Sequence, residues 1–234
     1  STEAHSALVA AADLAKRSGA SLHLVTAFPP SSMLTYAGLE SVLAALEKDA
    51  QILLDAERVI VEALGATVSG LHAAPQPAFD AVPRVAQAID ADLVVVGNRE
   101  LDVLKRLLDG SVSNDVLHSA HRPVLIVRGG AGCWHPAQVI GAVDDCPASK
   151  GASRFAGTNA HRSDAATLLI VEVDREPPMV AARYQVYDIN VGHDHLEPLA
   201  ASLEQSVGRA VAPALTVGEP AAALLAFGDE RSGP

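Results

Sequence analysis

Apolar positions repeat along the chain with two alternating periods. Residues 4–17 place apolar side chains at helical spacing and stop at Ser18-Gly19, where glycine can adopt the left-handed helix cap. Residues 39–64 repeat this helical pattern over a longer stretch. Between them, residues 21–28 form a short apolar run that is typical of a buried strand. Helix and strand therefore alternate from the first residues onward.

The alternation continues to about residue 128. Residues 66–73 predict a strand, and Pro77 occupies the position of a first-turn proline for a helix that runs to about residue 89. Residues 93–96 are apolar on both faces, which is typical of a central parallel strand covered by helices. Residues 123–127 begin with proline, which suits an edge strand. This order predicts an α/β fold with right-handed crossovers and a parallel sheet.

A glycine-rich segment then divides the chain, and the pattern begins again after it. Residues 129–137 contain Gly129-Gly130-Ala131-Gly132 and predict a linker between a first domain, 1–128, and a second domain, 138–234. The second domain is predicted to have strands at 139–143, 166–173 and 211–217 and helices at 148–160 and 195–209. Its strand 166–173 matches residues 21–28, which indicates an internal repeat.

The two copies are incomplete at opposite ends. The first begins directly in a helix, so its sheet is expected to lack one strand. The second stops before any counterpart of the strands at 93–96 and 123–127, so its sheet is expected to lack two.

Charge and composition exclude several classes of partner. The chain has 17 basic and 28 acidic residues, a formal net charge of -11, which argues against a nucleic-acid partner. It has no apolar run of the roughly 18 residues that cross a bilayer, so no membrane partner is expected. Cys133 and Cys146 are too few for a disulfide scaffold and lack zinc-ligand spacing, which favours a reducing compartment, the cytoplasm.

The segment 94–127 contains a candidate anion site. A strand ends at Gly97, and Gly110-Ser111-Val112-Ser113 opens the next helix. Ligands of open α/β sheets bind beyond the carboxyl ends of the strands, where helix N-termini direct backbone amides at anions. The glycines would let the main chain approach a phosphate, and the serine hydroxyls would add donors. The alternative is that the glycines only make turns and the serines only cap the helix.

This segment resembles a motif of the universal stress protein family, whose nucleotide-binding members carry Gly, two residues, Gly, nine residues, and Gly followed by Ser or Thr. Gly97, Asn98-Arg99, Glu100 and Gly110-Ser111 keep this spacing. The resemblance covers residues 1–128 and, less completely, 138–228. It implies a tandem member with two open parallel-sheet sandwiches of the adenine nucleotide alpha hydrolase-like type. It also implies a non-enzymatic stress-response regulator that binds ATP or a related adenine nucleotide.

The same resemblance implies a set of nucleotide contacts. Ala27 would face the adenine through its main chain, and Asp144 would match the aspartate that ends the family's first strand. Ser1 looks like the last residue of the family's Asp-Gly-Ser ending, so the first half's aspartate is not part of this sequence. The residues expected to hold the phosphates and ribose are Gly97, Asn98, Arg99, Gly110, Ser111, Val112 and Ser113. For Asp144, capping of the following helix is the alternative.

One position departs from the family pattern. Glu100 stands where the second motif glycine belongs, and its charge and its side chain would each disfavour a triphosphate by about 1 kcal/mol. An alternative function is therefore an interaction scaffold of the same family that has lost nucleotide binding. Because family members dimerise through the final strand, the resemblance implies that Pro123–Val127 pairs with a partner edge, in a homodimer or within the tandem.

Histidine and cysteine positions give no further assignment. His193-Asp194-His195 could chelate a metal, but the sequence places no third ligand, so a loop or a helix cap is preferred and no metal is assigned. Cys146 precedes a predicted helix without a nearby base. The motifs of serine hydrolases, P-loop enzymes and dinucleotide-dependent oxidoreductases are absent from the sequence, so no catalytic residue is predicted.

Overall fold

The computed structural model describes residues 1–28, 39–98, 116–117, 119–128, 136, 138–144, 146–161, 167–174 and 193–231. The chain divides into two compact units, Ser1–Trp134 and His135–Pro234, here unit 1 and unit 2. All strand pairs in the described residues are parallel. The predicted α/β class is therefore confirmed. No helix in the described ranges is long and apolar enough to cross a membrane.

Unit 1 contains three long helices and four strands in the described residues. Their order is α1 (Thr2–Ser18), β1 (Ser21–Ala27), α2 (Leu39–Ala63), β2 (Thr67–Ala74), α3 (Ala78–Ala88), β3 (Val94–Asn98) and β4 (Val124–Arg128). These bounds lie close to the predicted ones because local signals end the helices. Gly19 adopts the predicted left-handed conformation with φ 69° and its N–H donates to the Ala15 carbonyl, which stops α1.

The strands of unit 1 form two separate two-stranded sheets, β1-β2 and β3-β4. The segment 93–96 was predicted to be a central strand, but in the described residues β3 pairs with β4 alone. The reason is that neither β1 nor β2 is hydrogen-bonded to β3 in the described residues. The accompanying prediction of helical cover on both faces is correct: Val95 packs with α1, whereas Val94 and Val96 pack with α3.

Helix α1 holds the two sheets together through a face of small residues. Ala12 and Ala15 pack with Leu24 of β1, whereas Ala7 and Ala10 pack with Val127 of β4. Alanine lets a helix approach a sheet closely because its side chain ends at Cβ. The single helix therefore contacts both sheets of unit 1.

Unit 2 has one three-stranded sheet in the described residues. Its elements are β5 (Gln138–Val143), α4 (Pro147–His161), β6 (Thr167–Asp174), α5 (His193–Val207), β7 (Val211–Val217) and α6 (Pro220–Arg231), and the strand order is β5-β6-β7. Its core is built around Ile170 and Leu196, both fully buried. The preference for a loop or a helix cap at His193-Asp194-His195 is wrong, because these residues lie within α5, which begins at His193.

Candidate functional site

The ends of β1 and β3 lie at the same end of unit 1. A Cβ built on Gly97, near the end of β3, would lie 2.2 Å from the Glu3 carbonyl oxygen, so the first turn of α1 lies against the end of β3. Only Gly19 and Ala20 separate the last turn of α1 from the start of β1. Both strands therefore run opposite to α1, and Ala27 and Gly97 lie at one end. We call this the carboxyl end of unit 1.

The N-terminus of α1 also lies at this end. The Ser1 hydroxyl caps the helix by accepting the Ala4 N–H at 3.3 Å. The unpaired amides of a first turn carry partial positive charge, which favours an anion. Glu3, in the same turn, adds a carboxylate. The carboxyl end of unit 1 therefore has one feature that attracts a phosphate and one that repels it.

Gly97 has a structural role that the sequence did not reveal. Its missing side chain would point to the same face as Val95, toward α1. Any Cβ there would collide with the backbone of Glu3, at 2.2 Å from its oxygen and 2.5 Å from its carbonyl carbon. The close approach predicted for Gly97 is thus present, but the approaching backbone belongs to α1. A phosphate contact at Gly97 stays a prediction.

Ala27 and Asn98 are the other predicted contacts at this end. Ala27 is the last residue of β1 and pairs with Ala74 of β2, while Asn98 is the last residue of β3 and pairs with Arg128. The predicted contacts Arg99, Gly110, Ser111, Val112 and Ser113, together with Glu100, lie outside the described residues. The structure therefore brings Ala27, Gly97 and Asn98 to one end, and their roles stay predictions.

Residues 116–117 and 119–120 show where part of the chain after the motif lies. The Ala120 N–H donates to the Val116 carbonyl at 2.7 Å, as in a helical turn. Val116 is fully buried between Ala86 of α3 and Val94 of β3. Val116 and Ala120 are thereby anchored against α3 and β3.

Asp144 lies at the carboxyl end of β5 in unit 2. Its Oδ1 accepts the Cys146 N–H at 3.1 Å, which is the geometry of an Asx turn. Hydrogen bonds from Cys146 and then Ser149 lower the pKa of Asp144 from its ordinary 3.8 to about 2. The carboxylate is therefore ionised and engaged locally at neutral pH. A nucleotide contact for Asp144 stays a prediction.

The cap of α4 is Cys146 rather than Asp144. The Ser149 N–H donates to the Cys146 Sγ at 3.4 Å, three residues ahead, just as the Ala4 N–H donates to the Ser1 hydroxyl at the start of α1. Helices α1 and α4 are thus capped in the same way.

A pair of histidines on β1 and β2 was missed by the sequence analysis. His23 Nδ1 lies 3.0 Å from His72 Nε2, with the ring centroids 5.3 Å apart and the ring planes inclined by 23°. Both side chains are partly buried. Desolvation, and then the charge on His23, lower the pKa of His72. The sequence shows one histidine in each of two successive predicted strands. It does not show how the two strands align, so the contact between the histidines could not be predicted.

Larger clusters of ligating side chains are not found in the described part of the chain. No group of three or more His, Cys, Asp or Glu residues there could hold a metal ion. A site for a metal in the described residues would therefore need water to complete it.

Comparisons with known proteins identify relatives of the first unit. The model of the universal stress protein family matches residues 1–128. A curated universal stress protein from Mycolicibacterium smegmatis is 33% identical over 129 residues, which cover 53% of this chain and 44% of that protein. The chain thus spans less than half the length of that relative.

Solved structures share the fold over most of the chain. A universal stress protein from Archaeoglobus fulgidus DSM 4304 has a TM-score of 0.73 at 18% identity, covering 97% of this chain and 79% of that chain. A putative universal stress protein from Pseudomonas aeruginosa UCBPP-PA14 has a TM-score of 0.52 at 16% identity, covering 94% and 72%. A universal stress protein solved in complex with cAMP is 27% identical, covering 56% of this chain and 90% of that chain, with a TM-score of 0.43.

Proposed function

Because the chain belongs to the universal stress protein family, we propose that it is a cytoplasmic stress-response regulator whose first domain binds ATP or a related adenine nucleotide at the carboxyl end of unit 1. In this proposal the protein acts by binding and not by catalysis. Nucleotide binding would change the shape or partner preference of the first domain.

The observation that carries the proposal is the meeting of three features at one end of unit 1. The end of β1 at Ala27, the end of β3 at Gly97 and Asn98, and the capped N-terminus of α1 all lie there. Ends of parallel strands and helix N-termini are where open α/β sheets hold phosphorylated ligands. The spacing from Gly97 to Gly110-Ser111 supplies the sequence motif for the phosphates.

Carboxylates in the motif and in α1 set the expected ligand preference. Glu100 replaces a motif glycine, and Glu3 lies in the first turn of α1. Each like-charge interaction with a phosphate disfavours binding by about 1 kcal/mol in a partly hydrated site. We therefore expect ATP to bind weakly and AMP to lose less affinity from these charges than ATP does.

Calorimetric titration with ATP, ADP and AMP tests the proposal. Replacing Glu100→Gly removes both the charge and the side chain, each unfavourable by about 1 kcal/mol, so we expect ATP to bind about thirtyfold more tightly. Gly151→Ala, in α4 of unit 2, is the matched control and should leave the affinity unchanged, since a Cβ there meets no atom within 4 Å.

Two outcomes would contradict specific parts of this proposal. If neither the parent chain nor Glu100→Gly shows heat or a thermal shift at millimolar nucleotide, nucleotide binding is refuted. If Glu100→Gly binds ATP and also turns it over, the protein is an enzyme and the non-catalytic part of the proposal is wrong.

The second candidate function is an interaction scaffold without nucleotide. It is favoured by Gly97, whose glycine is already required by the packing of α1, and by Glu100 in the motif. In the described residues β4 pairs only with β3, which leaves an edge for pairing with a second copy through Pro123–Val127. Light scattering coupled to size exclusion tests this: a protein that is monomeric at every concentration excludes pairing between chains.

A further inference from the structure

Strands β1 and β2 place two imidazole rings side by side on one face of their sheet. The register shifts between Leu22 and His23, so that His23 faces Gly70 and Val25 faces His72. Because alternate residues of a strand share a face, His23, Gly70 and His72 all lie on one side. Leu24 and Leu71 lie on the other side, in the core cluster with α1 and α2. The irregularity in the register therefore brings the histidines together.

Gly70 provides the space that the two ring nitrogens share. A Cβ at this position would lie 2.5 Å from His23 Nδ1 and 2.9 Å from His72 Nε2. These are the same two nitrogen atoms that face each other at 3.0 Å. Any residue other than glycine would push apart the two atoms that converge there.

The spacing of the two nitrogens suits a shared metal ion. Two nitrogens that each lie about 2.0–2.1 Å from a tetrahedral zinc ion are about 3.4 Å apart, and a square arrangement brings them to about 2.9 Å. The observed 3.0 Å lies between these values. The two nitrogens face each other along the line between the ring centroids, so each ring would have to rotate by about 35–45° to direct its lone pair at a shared tetrahedral or square-planar ion.

The chemistry and exposure of the pair also suit a metal. Imidazole nitrogens select zinc, copper and nickel over magnesium and calcium, which prefer oxygen. Both rings are partly exposed, so water can reach the pair and fill the remaining positions.

We propose that His23 Nδ1 and His72 Nε2 together chelate one divalent transition-metal ion of the zinc class, over Gly70. His23 lies four residues before the end of β1 and His72 two residues before the end of β2, about 13 Å and about 7 Å from the carboxyl end of unit 1. Neither histidine is one of the strand-end residues proposed for the nucleotide. The competing explanation is a purely structural hydrogen bond between two neutral rings.

Titration of the untagged protein with Zn²⁺ in a calorimeter tests the proposal. Asn places an amide near the position of a histidine Nδ1 and Gln near that of Nε2, so the double variant His23→Asn/His72→Gln preserves hydrogen bonding but removes both ligands. We expect one ion to bind per chain, and its affinity to fall at least tenfold, because even loss of a residue that only supports a ligand costs about 10–100-fold. His5→Gln and His121→Gln, at exposed positions, are controls that should not change the affinity.

The outcomes separate the metal site from a structural hydrogen bond. Equal Zn²⁺ binding by the parent chain and the double variant, or no binding by the parent chain, overturns the proposal. Should the double variant fold poorly, the imidazole ¹⁵N resonances of the parent chain give the answer without a substitution. Zn²⁺ should shift His23 Nδ1 and His72 Nε2 together, and shifts confined to other histidines would overturn the proposal.

Discussion

The pKa of His72 makes the stability of the folded chain depend on pH. Its pKa lies below the ordinary value of 6.5 because burial and the neighbouring His23 both disfavour the imidazolium form. The unfolded chain imposes no such penalty. Folding therefore favours the neutral ring, and the stability that this contributes is complete above about pH 6.5 and is lost as the pH falls below it.

We expect this coupling to be visible in the free energy of unfolding. Between pH 7.5 and pH 5, the stability of the parent chain should fall more steeply than that of His72→Gln, which has no proton to gain at this position. Urea unfolding at a series of pH values measures both slopes. Gly151→Ala, at an exposed position without a titratable group, should give the slope of the parent chain. Parallel curves for the parent chain and His72→Gln would contradict the lowered pKa.

Single residues could be placed from the sequence where local signals determine them. Gly19 was predicted to cap α1 because a helix that ends at glycine needs no distant partner. Gly97 was predicted only to make a turn or to contact a phosphate. Its contact with Glu3 could not be predicted, because the two residues are far apart in the chain. For the same reason the facing of His23 and His72 could not be predicted.

At the scale of elements, the packing of α1 on β3 depends on the absence of a side chain at Gly97. In Gly97→Ala the new Cβ would meet the backbone of Glu3, which cannot move aside as a flexible side chain could. We expect a loss of about 1–3 kcal/mol, the usual cost of overpacking. Urea unfolding of unit 1, followed through its own amide signals, measures this loss.

The control for this prediction is another glycine that has open space. Gly151 lies within α4, and a Cβ there meets no atom within 4 Å. Gly151→Ala should therefore leave unit 1 unchanged and stabilise α4 by about 0.5–1 kcal/mol, because alanine is the better helix former. A Gly97→Ala variant as stable as the parent chain would show that α1 does not lie against β3.

The elements themselves were predictable, whereas their pairing was not. The bounds of α1 and β7 follow from periodicity and caps, which are local properties. The separation of β1-β2 from β3-β4 depends on which strands become neighbours, and periodicity contains no information about neighbours. The segment 93–96 accordingly has the two-sided apolar pattern of a central strand while pairing with β4 alone.

At the scale of the whole molecule, each hydrophobic cluster of the described residues lies within one unit. The cluster around Ile170 draws its members from unit 2 alone, and the other three clusters lie in unit 1. The division between the units at residues 134 and 135 falls inside the segment that the sequence marked as a linker. A destabilising substitution in one core is therefore expected to lower the stability of its own unit first.

Ile170→Ala tests the independence of the two cores. Ile170 is fully buried on β6, the middle strand of its sheet, so truncation should cost about 2–5 kcal/mol. Hydrogen exchange followed by mass spectrometry should show faster exchange across unit 2, with unit 1 unchanged. Val217→Ala, at a side chain that is 52% exposed, is the control and should have little effect. Equal loss of protection in both units would contradict this independence.

The alanine face of α1 also determines how unit 1 responds to temperature. Alanine has no rotamers to lose, so the docking of Ala7, Ala10, Ala12 and Ala15 freezes no side-chain motion. It also removes little apolar surface from water, and the heat-capacity increment of unfolding follows that surface. The free energy that attaches α1 to the sheets should thus change little with temperature. The core around Ile170 and Leu196 buries more apolar surface, so its unfolding has a larger heat-capacity increment and its stability depends more strongly on temperature.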